Sequence, residues 1–304
     1  MSTSAIRDIP GGITAVKGVR ASGVFCGIKR ARPDLALIVS DRTATVAGVT
    51  TRNRAKAAPV LLCERQLQGG KFSAVVVNSG NANACTGARG DRDAAAMRDE
   101  VSRLLGRPAG EVYVASTGVI GTPLPMSKVR AGIREACRLL SEKGSEAAAR
   151  AIMTTDTRLK EAAVSFELDG TRVAVGGIAK GSGMIAPQLA TMLCFVGSDV
   201  AASASLLRRS LGRAVAQTFN AITVDGCMST NDMVLCFATG ASNAPRLRAG
   251  GRALGLFERA LQGVLWRLAE MIARDGEGAS KLVRVEVKGT RTEADARIAA
   301  TAVA

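Results

Sequence analysis

The sequence predicts an α+β fold in which helices are layered on sheets. Three observations carry that expectation. Segments with strand character come in pairs. Helical segments also come in runs, without the strict strand–helix alternation of a doubly wound parallel sheet. Hydrophobic residues make up 47% of the 304 residues but aromatics only 3%, so the core must be built mainly from Ala, Val, Leu and Ile.

Along the chain, residues 35–51 are rich in Val, Ile and Thr and read as one or two strands. Residues 72–78 form a short apolar strand that runs into a loop, 78–90, dense in Asn, Gly, Thr and Ser. Helical periodicity covers 92–105, and 111–115 return as a strand. Residues 127–142 and 145–153 read as helices with Ser127 and Ser145 as N-caps. Residues 161–168 and 171–178 alternate around Asp169-Gly170, a hairpin signal. A buried strand follows at 190–196, a long helix at 202–220 and a strand at 233–238. Residues 247–274 are mainly helical, with Gly250 and Gly251 disturbing the start. Residues 281–287 read as a strand, and 292–304 as a helix that stops at Ala304 without a capping residue, as if cut short.

Composition narrows the function. The formal charge is +15, but Lys and Arg are scattered and few aromatics are present to stack on bases. Nucleic acid is therefore not an expected partner, and a basic surface with a bias toward small anionic substrates is. No segment has the apolar length of a membrane span, and residues 1–12 lack an apolar signal core, so no membrane partner and a cytoplasmic location are expected. Seven cysteines without a CxxC pair point to free thiols rather than a disulfide framework or zinc finger. Histidine is absent. That removes Ser-His-Asp and Cys-His catalysis and the commonest metal ligand, so no metal site is expected.

The stretch Lys180-Gly-Ser-Gly-Met-Ile-Ala-Pro-Gln-Leu-Ala-Thr-Met-Leu193 bears the chemistry. Its glycines fit G-x-G-x-x-A, and Asp199 lies near the spacing of a ribose carboxylate, but Pro187 falls where the required helix should propagate. A second reading places a small residue, Ala190, before a hydroxyl residue, Thr191, at a bond the protein cuts itself. Attack of the Thr191 hydroxyl on the Ala190 carbonyl shifts the acyl group from nitrogen to oxygen, and water releases it. The freed α-amine, with an ordinary pKa of about 8, then serves as the base that histidine would otherwise supply.

This stretch resembles the cleavage-site signature of the bifunctional glutamate N-acetyltransferase/ornithine acetyltransferase family of arginine biosynthesis. Segments in the same order resemble that family as well: Asp34 to Thr51, Val77 to Gly87, Ser116 to Gly121, Met153 to Thr157, Phe219 to Gly226, Ser229 to Asp232 and Asp275 to Lys281. The resemblance implies cleavage into an α chain, 1–190, and a β chain, 191–304, assembled as a heterotetramer of two of each. It implies that N-acetylornithine acetylates Thr191, the nucleophile, and that glutamate takes the acetyl group. No bound cofactor is implied, although acetyl-CoA is an acetyl donor for some members. Thr117 and Gly118 match the oxyanion-stabilising pair, and Thr157, Lys180, Thr191 and Glu277 match substrate-binding positions. Lys180 suits a substrate carboxylate and Glu277 a substrate ammonium.

The chain departs from the family at Gln188-Leu189, usually Asn-Met, and at Cys227-Met228, usually Asp-Thr. Family members also continue past Ala304, with an Asn and a Thr of that final segment binding substrate. An N-terminal-nucleophile amidohydrolase or aminopeptidase, and a truncated non-catalytic homologue, remain as alternatives.

Overall fold

The computed structural model describes residues 6–186 and 192–304. Among them nine strands form one mixed sheet. The long third strand, β3 (Leu35–Thr50), explains its shape. Its register shifts between Val39 and Ala44, which bends the strand and divides the sheet. On one side of the bend, β3 lies between β2 (Val19–Val24) and β4 (Lys71–Asn81), and β4 pairs in parallel with β5 (Val112–Val119). Past the bend, β3 pairs with β9 (Met233–Ala238), which pairs in parallel with β8 (Leu193–Ser198). The hairpin of β6 (Lys160–Leu168) and β7 (Thr171–Lys180) continues that half, and the two-residue β1 (Arg7–Asp8) ends it.

Period-two alternation then builds two kinds of core. Val75 and Val77 of β4 face inward with Ile38, Phe195, Leu235 and Phe237, whereas Ala74 and Val76 face outward. Phe72 stacks on Phe237 at 4.3 Å, joining the two halves. On the outer face of β3–β5, α2 (Gly87–Leu105) and α3 (Met126–Arg138) bury Ala94, Met97, Val101, Val129 and Ile133. On the other outer face, α5 (Ala204–Gln217) and α6 (Arg252–Arg274) cover β6–β9. Two shorter helices, α1 (Ala58–Leu67) and α4 (Ser145–Ile152), contribute to the inner core. The layering is helix, sheet, sheet, helix, and the predicted α+β class holds. No helix among the described residues is long and apolar enough to cross a membrane.

Several expected boundaries move. Strand β5 runs on to Val119, so Thr117 and Gly118 belong to the strand and not to a turn after it. Neither Ser127 nor Ser145 caps a helix. Pro125 and Gly144 occupy those positions, and the Ser145 hydroxyl instead accepts from the Ile13 N–H and donates to Glu161. Residues 281–287 form no strand: no described strand lies beside them to complete a ladder, and Val283 is 77% exposed. The last helix, α7 (Glu293–Val303), is capped by the Thr292 hydroxyl and buries no residue.

Candidate active site

The site forms where the C-terminal ends of β4, β5 and β7 meet the first residues of β8 and β9. The β4–β5 end is shaped by amide side chains. Asn78 donates to the Asn81 carbonyl and accepts from the Ser116 hydroxyl, at 2.8 and 2.6 Å. Asn81 in turn accepts from the Asn83 N–H and donates to the Thr122 carbonyl. From across the bend, Asn231 donates to the carbonyls of Ala82 and Ser116, at 2.7 and 2.8 Å. Thr117 is thereby fixed by a strand on one side and by the carbonyl before it on the other. Gly118 follows at φ +133°, and a Cβ there would lie 2.3 Å from the Gly80 carbonyl carbon. Glycine is required because the neighbouring backbone passes so close.

Lys180, at the end of β7, is buried and brings its ammonium to 3.5 Å from the Thr117 hydroxyl and 3.9 Å from Asp156. Burial lowers its pKa, while Asp156, Asp232 and Glu277 oppose that shift and Lys160 adds to it. Asp156 is the pivot of a buried network. It accepts from Lys160 at 2.8 Å and from the Gly181 N–H at 2.7 Å. Burial pushes its carboxyl up, but Lys180 and Lys160 outweigh that and hold it at about 2. Lys160 also reaches Asp275 at 2.6 Å. Asp275 takes the N–H groups of Thr157 and Arg158, and the Thr157 hydroxyl donates to it.

The five residues 187–191 are bracketed by pinned backbone. Ahead of them, the Glu277 N–H donates to the Ser182 carbonyl at 2.7 Å, and Asp225 accepts from the N–H groups of Met184 and Ile185. Met184 has φ +55°, uncommon for a side chain of its size, and the Asp225 clamp holds that turn. Behind them, the Met192 N–H donates to Asp232 at 3.0 Å, and Leu193 pairs with Lys180. Asp232 is fully buried. Burial raises its pKa well above the ordinary carboxyl value, against the pull of the Met192 N–H, Lys180 and the Ser229 and Thr51 hydroxyls.

The expected residues are thus only partly gathered. Thr117, Gly118 and Lys180 converge. Glu277 is exposed at the rim, its carboxylate against Gly183, where a Cβ would meet it at 2.6 Å. The Thr157 hydroxyl is directed at Asp275, so its place here is in the network beneath the site. Ala190 and Thr191 lie outside the described residues. Asp156, Asp225, Asn231 and Asp232 sit in motifs visible in the sequence, but no role followed from the motifs alone.

Comparison with known proteins decides the family. Residues 20–304 match the model of the ArgJ family. The chain belongs to that family. It is 48% identical to the arginine biosynthesis bifunctional protein ArgJ of Caldanaerobacter subterraneus subsp. tengcongensis, over 97% of this chain and 73% of the relative. It is 51% identical to that of Symbiobacterium thermophilum, over 97% and 74%. Among solved structures it is similar to ArgJ from Bacillus halodurans, at 40% identity and TM-score 0.58, over 63% of this chain and all of that one. It is also similar to the ornithine acetyltransferase from Mycobacterium tuberculosis, solved with ornithine, at 40% identity and TM-score 0.56, over 60% and 98%. The L-aminopeptidase D-Ala-esterase/amidase from Ochrobactrum anthropi, a variant of the N-terminal-nucleophile hydrolase fold, is 15% identical with TM-score 0.54 over 91% of this chain and 89% of that one, a likeness of fold alone. The class read from the sequence, an acyltransferase of arginine biosynthesis on a layered α+β fold, is the class of the ArgJ family.

Proposed function

We propose that the chain cuts itself between Ala190 and Thr191 and then moves an acetyl group from N-acetylornithine to glutamate through acetyl-Thr191. The observation that carries this is the bracketing of residues 187–191 by Asp225 and Asp232, beside a buried Lys180 and the Thr117 hydroxyl. Ile185 and Met192, described on either side, are held by Asp225 and Asp232, and Lys180, which pairs with Leu193, favours negative charge. The Thr117 hydroxyl and the Gly118 N–H, at a strand end made rigid by Asn78 and Asn231, stabilise the oxyanion of each tetrahedral intermediate. Such donors contribute several kcal/mol in acyl transfer. Lys180 attracts the substrate carboxylate, and Glu277 at the rim takes the ammonium.

The Bacillus halodurans chain supports the cut. It aligns along its whole length with 63% of these 304 residues, close to the share that 1–190 represents. In this reading 1–190 and 191–304 remain together as α and β chains, two of each forming a heterotetramer in the cytoplasm. Acetyl-CoA is a second acetyl donor.

Denaturing electrophoresis with N-terminal sequencing tests the cut: two fragments are expected, the smaller beginning at Thr191. Thr191→Ala should leave a single full-length chain without transfer. Acetylglutamate formed from acetylornithine, and separately from acetyl-CoA, tests the reaction and its donors. Release of free acetate from acetylornithine, with no acetylglutamate, would instead mark an amidohydrolase. Size-exclusion chromatography with light scattering reads the assembly.

A further inference from the structure

We infer that Lys29 is a specificity-determining residue whose ammonium takes the side-chain carboxylate of the acyl acceptor, glutamate. The inference rests on the transfer reading above and deepens it at the acceptor. The two substrates differ in charge. Acetylornithine carries one carboxylate and an ammonium, whereas glutamate carries two carboxylates beside the amine that takes the acetyl group. Lys180 answers one carboxylate, and Glu277 at the rim repels the other. Holding glutamate therefore calls for a second cation.

The first support is the way Lys29 is held. The buried Asp34 carboxylate accepts the N–H groups of Cys26, Gly27, Ile28 and Lys29, at 2.6, 3.1, 2.7 and 2.9 Å. Four donors on one charged acceptor fix the backbone of this loop. The Lys29 stem then lies over the end of β4, where a Cβ on Gly80 would meet its Cγ at 3.0 Å. Gly80 is paired with Gly118 across β4 and β5, so the loop is seated beside the proposed oxyanion pair.

The second support is where the ammonium ends. It donates to the carbonyl of Pro33, at 3.0 Å, and to that of Met153. Met153 precedes Thr154, whose N–H donates to Asp156 at 3.0 Å, and Asp156 lies 3.9 Å from Lys180. One turn, 153–156, thus holds the Lys29 ammonium at its start and faces Lys180 at its end. Both acceptors of Lys29 are neutral carbonyls, and no carboxylate among the described residues forms an ion pair with it. A half-buried ammonium has three N–H groups and is costly to leave without a counter-charge, so this one suits an anion that a ligand brings.

The surrounding groups set its charge. Burial lowers its pKa to about 8, with Lys180 and Arg32 adding to the fall and Asp34 and Asp156 opposing it. The ammonium is charged at pH 7 and loses its charge as pH rises through that value, and its hold on a carboxylate goes with it.

The test uses the full chain, with acetylornithine as donor and glutamate or glutamine as acceptor. Glutamine keeps the α-carboxylate and has an amide in place of the other. Lys29→Met keeps the stem on Gly80 and removes the charge. At pH 7 it should raise KM for glutamate at least about tenfold, the loss of one hydrogen bond to a charged group, with KM for acetylornithine within about twofold. It should also remove most of the preference for glutamate over glutamine. An unchanged KM for glutamate overturns the proposal. An equal rise in both KM values overturns it too, since Lys29 would then only brace the 153–156 turn. Should Lys29→Met fail to fold or to cut, the wild-type enzyme decides. Its preference for glutamate over glutamine should fall at least about threefold from pH 7 to pH 9 as Lys29 loses its proton. Both acceptors share Lys180, so the ratio isolates the second cation, and a ratio that stays flat overturns the assignment. A wild-type chain that forms no acetylglutamate from acetylornithine sinks the transfer reading itself, and the role of Lys29 with it. One that forms acetylglutamate and fails these tests sinks the role of Lys29 alone.

Discussion

Asp156 and Asp232 are equally buried, and both lie in the field of Lys180, yet they behave in opposite ways. Asp156 has Lys160 at 2.8 Å, the Gly181 N–H at 2.7 Å and the Thr154 N–H at 3.0 Å, and its carboxyl is held at about 2. Asp232 takes the Met192 N–H, with the Ser229 and Thr51 hydroxyls and Lys180 also favouring its charged form, yet burial outweighs them and pushes its carboxyl up. Burial costs both carboxylates their hydration. The number of cations and N–H donors aimed at each decides whether the charge survives. The paired group is scaffold, locking the hairpin β6–β7 to the end of α6 through Lys160 and Asp275. In the other, burial outweighs the donors and favours the protonated carboxyl.

Removing the cation that makes Asp156 a scaffold should have the largest effect. Lys160→Met leaves Asp156 and Asp275 facing each other without their shared ammonium. Breaking a buried pair in this way costs about 3–5 kcal/mol. Urea unfolding in a Thr191→Ala background, where the chain stays in one piece, measures it. A loss below about 1 kcal/mol would mean that Lys180 and the backbone N–H groups suffice, and the contrast with Asp232 would weaken.

Asn231→Ala comes next. It strips the carbonyls of Ala82 and Ser116 of their buried donor, a penalty of about 1–3 kcal/mol. Because Ser116 immediately precedes Thr117, the same change should lower kcat of the cut enzyme more than it raises KM. Equal effects on both would place Asn231 outside the support of the proposed oxyanion pair.

The sequence reveals one part of this arrangement more readily than the other. Strands 35–50 and 233–238 and the hairpin around Asp169-Gly170 were legible, because alternation is a local signal carried by adjacent residues. Strand β2 and helix α1 gave no such signal: Val-Arg-Ala-Ser-Gly-Val has small and polar breaks, and α1 opens on Ala-Pro. Residues 281–287 show the converse, a strand pattern without a strand, since alternation specifies a face but cannot provide a neighbour. At the site, Thr117, Gly118, Lys180 and Glu277 were found through motif resemblance. The groups that set their charge were not assigned, because Asp275 meets Lys160 across 115 positions and Asn231 meets Ala82 across 149. Periodicity carries no information over such distances.

The pH dependence of stability separates the two carboxyls most finely, and its sign differs between them. Asp156 titrates at about 2 when folded against an ordinary 3.8, so it stabilises the folded state above about pH 4 and loses that contribution as pH falls toward 2. The loss is on the order of 2 kcal/mol. Asp232 is raised when folded, so between its ordinary value and its folded value the native state holds a proton that the unfolded chain has released. Stability therefore falls as pH rises through that window. Asp232→Asn does not titrate and should escape that fall. At pH 4 its stability should be close to that of the parent, and from pH 4 to 7 the difference should grow in favour of the variant. Urea midpoints at pH 4, 5.5 and 7 in the Thr191→Ala background read it directly. A difference that stays flat across that range would mean that Asp232 titrates like an exposed carboxylate. The contrast with Asp156 would then be one of partners alone, without consequence for protonation.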